Sequence, residues 1–180
     1  MRLSILIPTM PDRIDVLSSL YAHLVKQATP DIEILLDCNA ATGISLKRNS
    51  LIKSAKGDYV VWLDDDDWVS DNYVSSVLQA LESNPDCVGY WLEYHDQFGI
   101  KQAKHSNIFS TWRTLSDSFE RCISFLNPVK RSIAIKVPFD EGKTYAEDHD
   151  HSMRLKPFLA TEVFIDKVMY SYFPGNSRPR

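Results

Sequence analysis

Hydrophobic and polar positions along this chain follow two periods in turn. Leu3-Ser4-Ile5-Leu6-Ile7 is a short β-rich run broken by Pro8-Thr9-Met10-Pro11, which predicts a first strand. Ile14, Leu17, Tyr21 and Leu24 then recur at helical spacing, so a helix is predicted from about Asp12 to Lys26. Ile32 to Leu36 predicts a second strand closing on Asp37, and a helix follows from about Ser45 to Lys56, closed by Gly57. Tyr59-Val60-Val61-Trp62-Leu63 is apolar on both faces, the pattern of a strand buried in a parallel sheet. Val74, Val77, Leu78 and Leu81 mark a further helix, and Cys87 to Tyr94 a further strand.

This strand-helix alternation predicts an α/β fold with a mostly parallel, wound central sheet flanked by helices. The second half is less regular. Residues 95–127 are polar and aromatic without a strong period, Ile133-Ala134-Ile135 suggests a short strand, Ala146 to Lys156 a helix, and Thr161 to Phe173 one or two strands around Asp166. No repeat or linker divides the chain. The expectation is one domain over 1–180 with two functional halves, about 1–94 and about 95–180.

Composition narrows the class. A chain of 180 residues, 44% hydrophobic and 24% charged, can bury a sizeable core. A net charge of -4 gives no strong nucleic-acid signal. Cys38, Cys87 and Cys122 form no metal-ligand spacing and suit reduced thiols. No apolar run is long enough to span a membrane, and strand-like sequence begins at Leu3 with no signal peptide visible. These points favour a cytoplasmic protein.

The chemistry gathers where the central strand ends. Asp64-Asp65-Asp66-Asp67 follow Leu63 directly, at the end of a strand where ligands bind in open α/β sheets. If the extended geometry persists, Asp64 and Asp66 face one way and Asp65 and Asp67 the other. Four adjacent carboxylates suit a hard cation such as Mg²⁺ or Mn²⁺, or else form a solvated acidic loop.

Four segments in order resemble family 2 glycosyltransferases of the GT-A fold. They are the opening strand and loop from Leu3 to Pro11; Lys47-Arg48-Asn49 with Ala55-Lys56-Gly57-Asp58; Trp62 to Asp67; and Pro138-Phe139-Asp140-Glu141 with Tyr145-Ala146-Glu147-Asp148. The resemblance implies inverting sugar transfer from a nucleoside-diphosphate sugar, most often a UDP-sugar, to an acceptor hydroxyl on a glycan, a lipid-linked or another molecule. It implies Mn²⁺ or Mg²⁺ at Asp66 and Asp64. It further implies nucleotide-sugar contacts from Pro8, Thr9, Arg13, Asp37, Arg48, Asp64 and Asp65, with Arg13 otherwise a solvated helix residue and Asp37 otherwise a loop cap. Asp148 is the expected general base, with Glu147 orienting the acceptor or its loop.

The His that many family members carry after the last strand is missing here. Asn176, a water or a tail arginine (Arg178 or Arg180) would stand in. Trp68 and Trp112 are the aromatics expected to stack on sugars. A metal-dependent nucleotidyltransferase is the alternative enzyme, disfavoured because Thr9 to Arg13 lacks a Gly-rich loop. A non-catalytic sugar-nucleotide or glycan-binding module is the alternative without turnover.

Overall fold

The computed structural model describes residues 1–174. The expectations for Asn176, Arg178 and Arg180 lie outside the described residues. Ten strands join one sheet, in the order β2-β1-β3-β9-β5-β6-β8-β7, with β10 beside β5 and β4 beside β10. The strands are β1 (Leu3–Pro8), β2 (Ile32–Asp37), β3 (Tyr59–Trp62), β4 (Trp68–Val69), β5 (Cys87–Asp96), β6 (Gly99–His105), β7 (Arg113–Thr114), β8 (Ser118–Arg121), β9 (Val129–Lys130) and β10 (Glu162–Tyr172). The helices are α1 (Ile14–Gln27), α2 (Ile44–Ser54), α3 (Tyr73–Ala80), α4 (Arg131–Ala134) and α5 (Glu147–Leu155).

β1 pairs in parallel with both β2 and β3, and β5 pairs in parallel with β10. β2, β1 and β3 form the wound parallel sheet that the alternating pattern predicts, and β9, antiparallel to both neighbours, separates β3 from β5. β1 and β3 are buried along their whole length, which explains their unbroken apolar runs. Leu17, Leu20 and Leu24 of α1 and Val74 and Val77 of α3 are buried in the same core, α3 packing against α1 and β10.

Four expectations need correction. Residues 95–127 are not irregular. They hold β6, paired antiparallel with β5, and β8, paired in parallel with β6. β6 is exposed over Gly99 and Ile100 and buried only at Ala103 and His105, so its sequence carries little apolar alternation. Ile133-Ala134-Ile135 is not a strand, because Arg131–Ala134 form the single turn of α4. The run after Leu63 does not stay extended: the Asp67 N–H donates to the Asp64 carbonyl at 3.3 Å and the chain turns. Gly57 does not close α2 by a left-handed cap, since Gly99 is the only glycine with positive φ among the described residues.

Gly57 has a different role. A Cβ there would lie 2.6 Å from the Ser4 backbone nitrogen and 2.8 Å from the Leu3 carbonyl carbon. Its own N–H donates to Ser4 Oγ at 2.8 Å. The glycine lets the chain leaving α2 pass against β1 before entering β3. It thereby sets the strand that delivers the four acids. β10 is one strand with its register shifting between Ile165 and Val168, around the predicted Asp166. Among the described residues no helix is long and apolar enough to cross a membrane.

Overpacking at this crossing costs about 1–3 kcal/mol. Gly57→Ala should lower the urea midpoint of unfolding by a corresponding amount. An unchanged midpoint would show that β1 and the α2–β3 connection are not in the close contact described.

Candidate functional site

Each of the four carboxylates after β3 has its own partners. Asp65 is nearly buried, accepts from Thr9 Oγ1 at 2.5 Å, and is gripped by Arg13 through Nη2 at 2.5 Å and Nε at 3.0 Å. Arg13 Nη2 also reaches Asp66 Oδ2 at 3.0 Å. Hydrogen bonding to Asp65, with a smaller share from Asp66, strengthens the hold of Arg13 on its proton despite desolvation. Asp64 accepts from Arg48 Nη2 at 3.1 Å. Burial pushes the Asp64 carboxyl up from the usual carboxylate range, and the Arg48 charge opposes that shift.

Asp67 points away from solvent. It accepts from Tyr170 Oη at 2.5 Å and from the Phe173 N–H at 2.7 Å. Burial, with the Asp64 charge behind it, pushes its carboxyl up to about 8. The Tyr170 hydroxyl in turn accepts from the Asp64 N–H at 3.3 Å. One phenol on β10 thus ties both ends of the acidic turn to the sheet.

Arg48 links this turn to the second half of the chain. Its guanidinium carbon sits 3.9 Å from the Phe125 ring centroid and 5.1 Å from that of Phe139. Its second nitrogen, Nη1, donates to Glu147 Oε1 at 3.0 Å. The neighbouring Asn49 donates to the Phe139 carbonyl at 2.9 Å and accepts the Phe139 N–H at 2.8 Å. The Lys47-Arg48-Asn49 turn of α2 therefore fixes both the acids after β3 and the segment leading to α5. Lys47, set below Arg48 by sequence, is also buried at the site and donates to the Thr9 carbonyl.

Two cavities open here. The first, about 500 Å³, is lined by Pro8, Thr9, Arg13, Lys47, Arg48, Asp64, Asp65 and Asp66, with Tyr172 and Phe173 from the end of β10. The second, about 370 Å³, is lined by Glu147 and Asp148, with Tyr94, His105, Trp112, Phe119 and Arg121 among its other walls. Arg48, Asp64 and Tyr172 belong to both. Asp37 lies abreast of Pro8 at the end of β2 but caps its own loop through the Asn39 N–H at 3.0 Å. It does not line either cavity. Trp68 is placed elsewhere too, stacked on His23 at 4.4 Å, whereas Trp112 lies in the second cavity as expected. Tyr172, Arg121 and His105 were not anticipated. Their segments carry no motif, and only the strand register brings them to the site.

Asp148 accepts the His149 N–H at 2.7 Å at the start of α5. Ala146, just before it, holds φ 54°, a left-handed conformation that costs an L-residue about 1–2 kcal/mol. The strained residue sits immediately before Glu147 and Asp148, which it aims at the cavity. His151 on α5 is buried and stacks on Phe139 at 4.0 Å. Among the described residues no group of three or more His, Cys, Asp or Glu side chains could hold a metal by itself. Among the described residues Asp64 and Asp66 are the partly open carboxylates of the acidic turn, with side chains 26% and 18% exposed. A pair completed by substrate phosphates is how Mg²⁺-type ions are commonly held.

This fold and cleft define an α/β domain of the GT-A kind. The model of the family described as glycosyl transferase family 2 matches residues 25–144. The chain belongs to that family. The putative glycosyltransferase EpsH of Bacillus subtilis (strain 168) is 23% identical over 145 residues, which cover 72% of this chain and 41% of that protein. The crystal structure of S. aureus TarS 1-349 in complex with UDP is similar with a TM-score of 0.73 at 18% identity, covering 96% of this chain and 60% of that one. The complex of the same protein with UDP-GlcNAc gives 0.72 at 17%, covering 96% and 58%. A197 from STIV gives 0.59 at 17%, covering 98% and 87%. The chain thus spans well under two thirds of the length of EpsH and of the TarS structures.

Burial holds the His151 imidazole down to about 3, with Arg154 and Arg48 adding to the shift. In the unfolded chain it protonates near 6.5. Between those values the unfolded state binds more protons, so stability falls as pH drops from about 6.5 toward 3. His151→Phe removes this contribution. Its denaturation midpoint should fall less than that of the wild type across the same window. Parallel curves would mean that His151 is not buried and neutral.

Proposed function

We propose that the chain transfers a sugar from a nucleoside-diphosphate sugar, a UDP-sugar foremost, to an acceptor hydroxyl with inversion. The observation that carries this reading is the junction of the two cavities at Arg48 and Asp64, with acids and basic groups on one side and Asp148 on the other. The TarS structures crystallised with UDP and UDP-GlcNAc support a nucleotide-sugar donor.

In this proposal the first cavity receives the nucleotide. Pro8 and Thr9 form the loop after β1, and Arg13, Lys47 and Arg48 offset the diphosphate charge. Asp65 holds Arg13 and Thr9 in place more than it touches the donor. Asp64 and Asp66 would hold Mn²⁺ or Mg²⁺ together with diphosphate oxygens. Such an ion supplies Lewis-acid stabilisation of the departing diphosphate. Asp67 keeps the turn in shape. Asp148 takes the proton of the attacking acceptor hydroxyl, and Glu147, fixed by Arg48, holds the start of α5. The proposed halves, 1–94 and 95–180, interlock in space, because β10 lies between β4 and β5 and brings Tyr172 to both cavities.

If Asp64 and Asp66 bind the cation only with diphosphate oxygens, metal and nucleotide strengthen each other by about 1–3 kcal/mol. Thermal melts with Mn²⁺, with UDP and with both should show a joint shift larger than the two separate shifts added. Asp66→Ala should abolish the excess. An equal UDP shift with Mn²⁺ or with excess chelator would remove the metal from this reading.

The proton acceptor is tested by Asp148→Asn, which keeps the shape of the side chain. UDP affinity should be unchanged while transfer to a verified acceptor falls roughly 10²–10⁴-fold. Full turnover by the variant would assign the base to another group.

A further inference from the structure

His105, at the end of β6, is 95% buried yet lines the second cavity. Its protonation pattern follows from its neighbours. The Ser124 N–H donates to Asn127 Oδ1 at 3.1 Å, and Asn127 Nδ2 donates to the Val88 carbonyl at 3.2 Å. Two backbone groups therefore fix which end of the Asn127 amide is oxygen. His105 Nδ1 lies 3.0 Å from that oxygen, which only accepts, so Nδ1 carries the hydrogen.

In a neutral ring the other nitrogen, Nε2, is then an acceptor with no hydrogen. Burial keeps the ring neutral by holding its protonation down to about 4, with the Arg121 charge acting the same way. No hydrogen bond to Nε2 is found among the described residues. The cavity that the ring faces is part apolar, with Leu92, Ala103 and Leu126, and part polar, with Tyr94, Arg121 and Ser124, whose Oγ lies 3.4 Å from Nδ1 of the same ring. Nε2 is not among the fully buried unpartnered polar atoms, so it opens onto the cavity, where water or a ligand hydroxyl supplies the hydrogen.

We infer that His105 Nε2 accepts a hydrogen bond from a hydroxyl of the sugar ring occupying the second cavity, with Asn127 as the positioning residue that fixes the tautomer. The inference rests on the sugar-transfer reading and deepens it. His105 becomes a specificity-determining residue. A ring that lacks a hydroxyl at that point, or carries it blocked, leaves the nitrogen unpaired and binds less well. The ring belongs either to the donor or to the acceptor, and both present the same hydroxyl chemistry.

The test compares wild type, His105→Phe and Asn127→Asp. Affinities are measured for UDP, for UDP-glucose, UDP-galactose and UDP-GlcNAc, and for a panel of immobilised glycans. UDP, which would occupy the first cavity, should bind all three proteins equally. This common UDP signal checks folding, and in the wild type it tests the sugar-nucleotide reading separately. If the donor sugar fills the second cavity, the gain in affinity of the best UDP-hexose over UDP should fall at least about tenfold in His105→Phe. If the acceptor fills it, donor affinities should hold and glycan binding should fall by a similar factor. No change in either overturns the inference.

Asn127→Asp is a second, independent variant; it gives up the Nδ2–Val88 hydrogen bond, so its folding is checked by the same UDP signal. A carboxylate still accepts from Nδ1 and from the Ser124 N–H, but it favours the doubly protonated ring, whose Nε2 donates. Arg121 from β8, Glu93 from β5 and Asp148 from α5 face the same cavity in both proteins, so their titration is common to the two. A hydroxyl both donates and accepts, so its hydrogen bond with Nε2 reverses when the ring is protonated, and sugar-dependent affinity should change between pH 8 and 6 in Asn127→Asp relative to wild type. The same pH profile in both proteins would mean that Nε2 does not touch the sugar.

Discussion

Four carboxyl groups in succession at the end of a buried strand each need a partner. The rest of this structure is arranged around that constraint. Asp64 goes to Arg48, Asp65 to Thr9 and Arg13, Asp66 to the same Arg13, and Asp67 to Tyr170 and the Phe173 N–H. The turn at Asp64–Asp67 makes this division possible, because an extended run would offer only two faces. The outcome is a graded set. Two carboxylates are committed to structure, and two remain partly open to a cavity of about 500 Å³.

The same partners join the two halves of the chain. Arg48 is shared between Asp64 and Glu147, and its flat guanidinium lies against the rings of Phe125 and Phe139. A bidentate, stacked arginine of this kind is not replaceable by lysine. Asn49 binds the Phe139 backbone through both ends of its amide. The position of Asp148 relative to the acids after β3 is thus set by side chains of two adjacent residues on α2. The strained Ala146 concentrates the remaining local cost just ahead of Glu147 and Asp148.

Much of the fold was legible in the sequence where burial is two-sided or strictly helical. β1, β3, α1 and α3 have strong periods because their apolar faces meet a full core. β6 and β8 were hidden, since their side chains are mostly half-exposed and a strand of that kind carries no clean alternation. Ile133 misled because β-branched residues favour strands, yet a single turn is enough to redirect the chain after β9. Within the site, Thr9, Arg13 and the acids stand in motifs just past strand ends and Arg48 in a motif of α2, and the structure brings them to one cavity. Tyr170, Tyr172 and His105 were not legible, because strand pairing alone brings distant segments together. Trp68 was misplaced because a polar sequence context does not reveal that His23 covers its ring.

The central claim is the division of the carboxylates into two that serve a ligand and two that hold the turn. A crystal structure with UDP and Mn²⁺, with the ion located by anomalous scattering, tests it most directly. The account predicts an ion bounded by Asp64, Asp66 and diphosphate oxygens, with the Asp65–Thr9 and Asp67–Tyr170 hydrogen bonds intact. An ion bound through Asp65 or Asp67, or a nucleotide seated away from the cavity beneath Arg13 and Arg48, would contradict it.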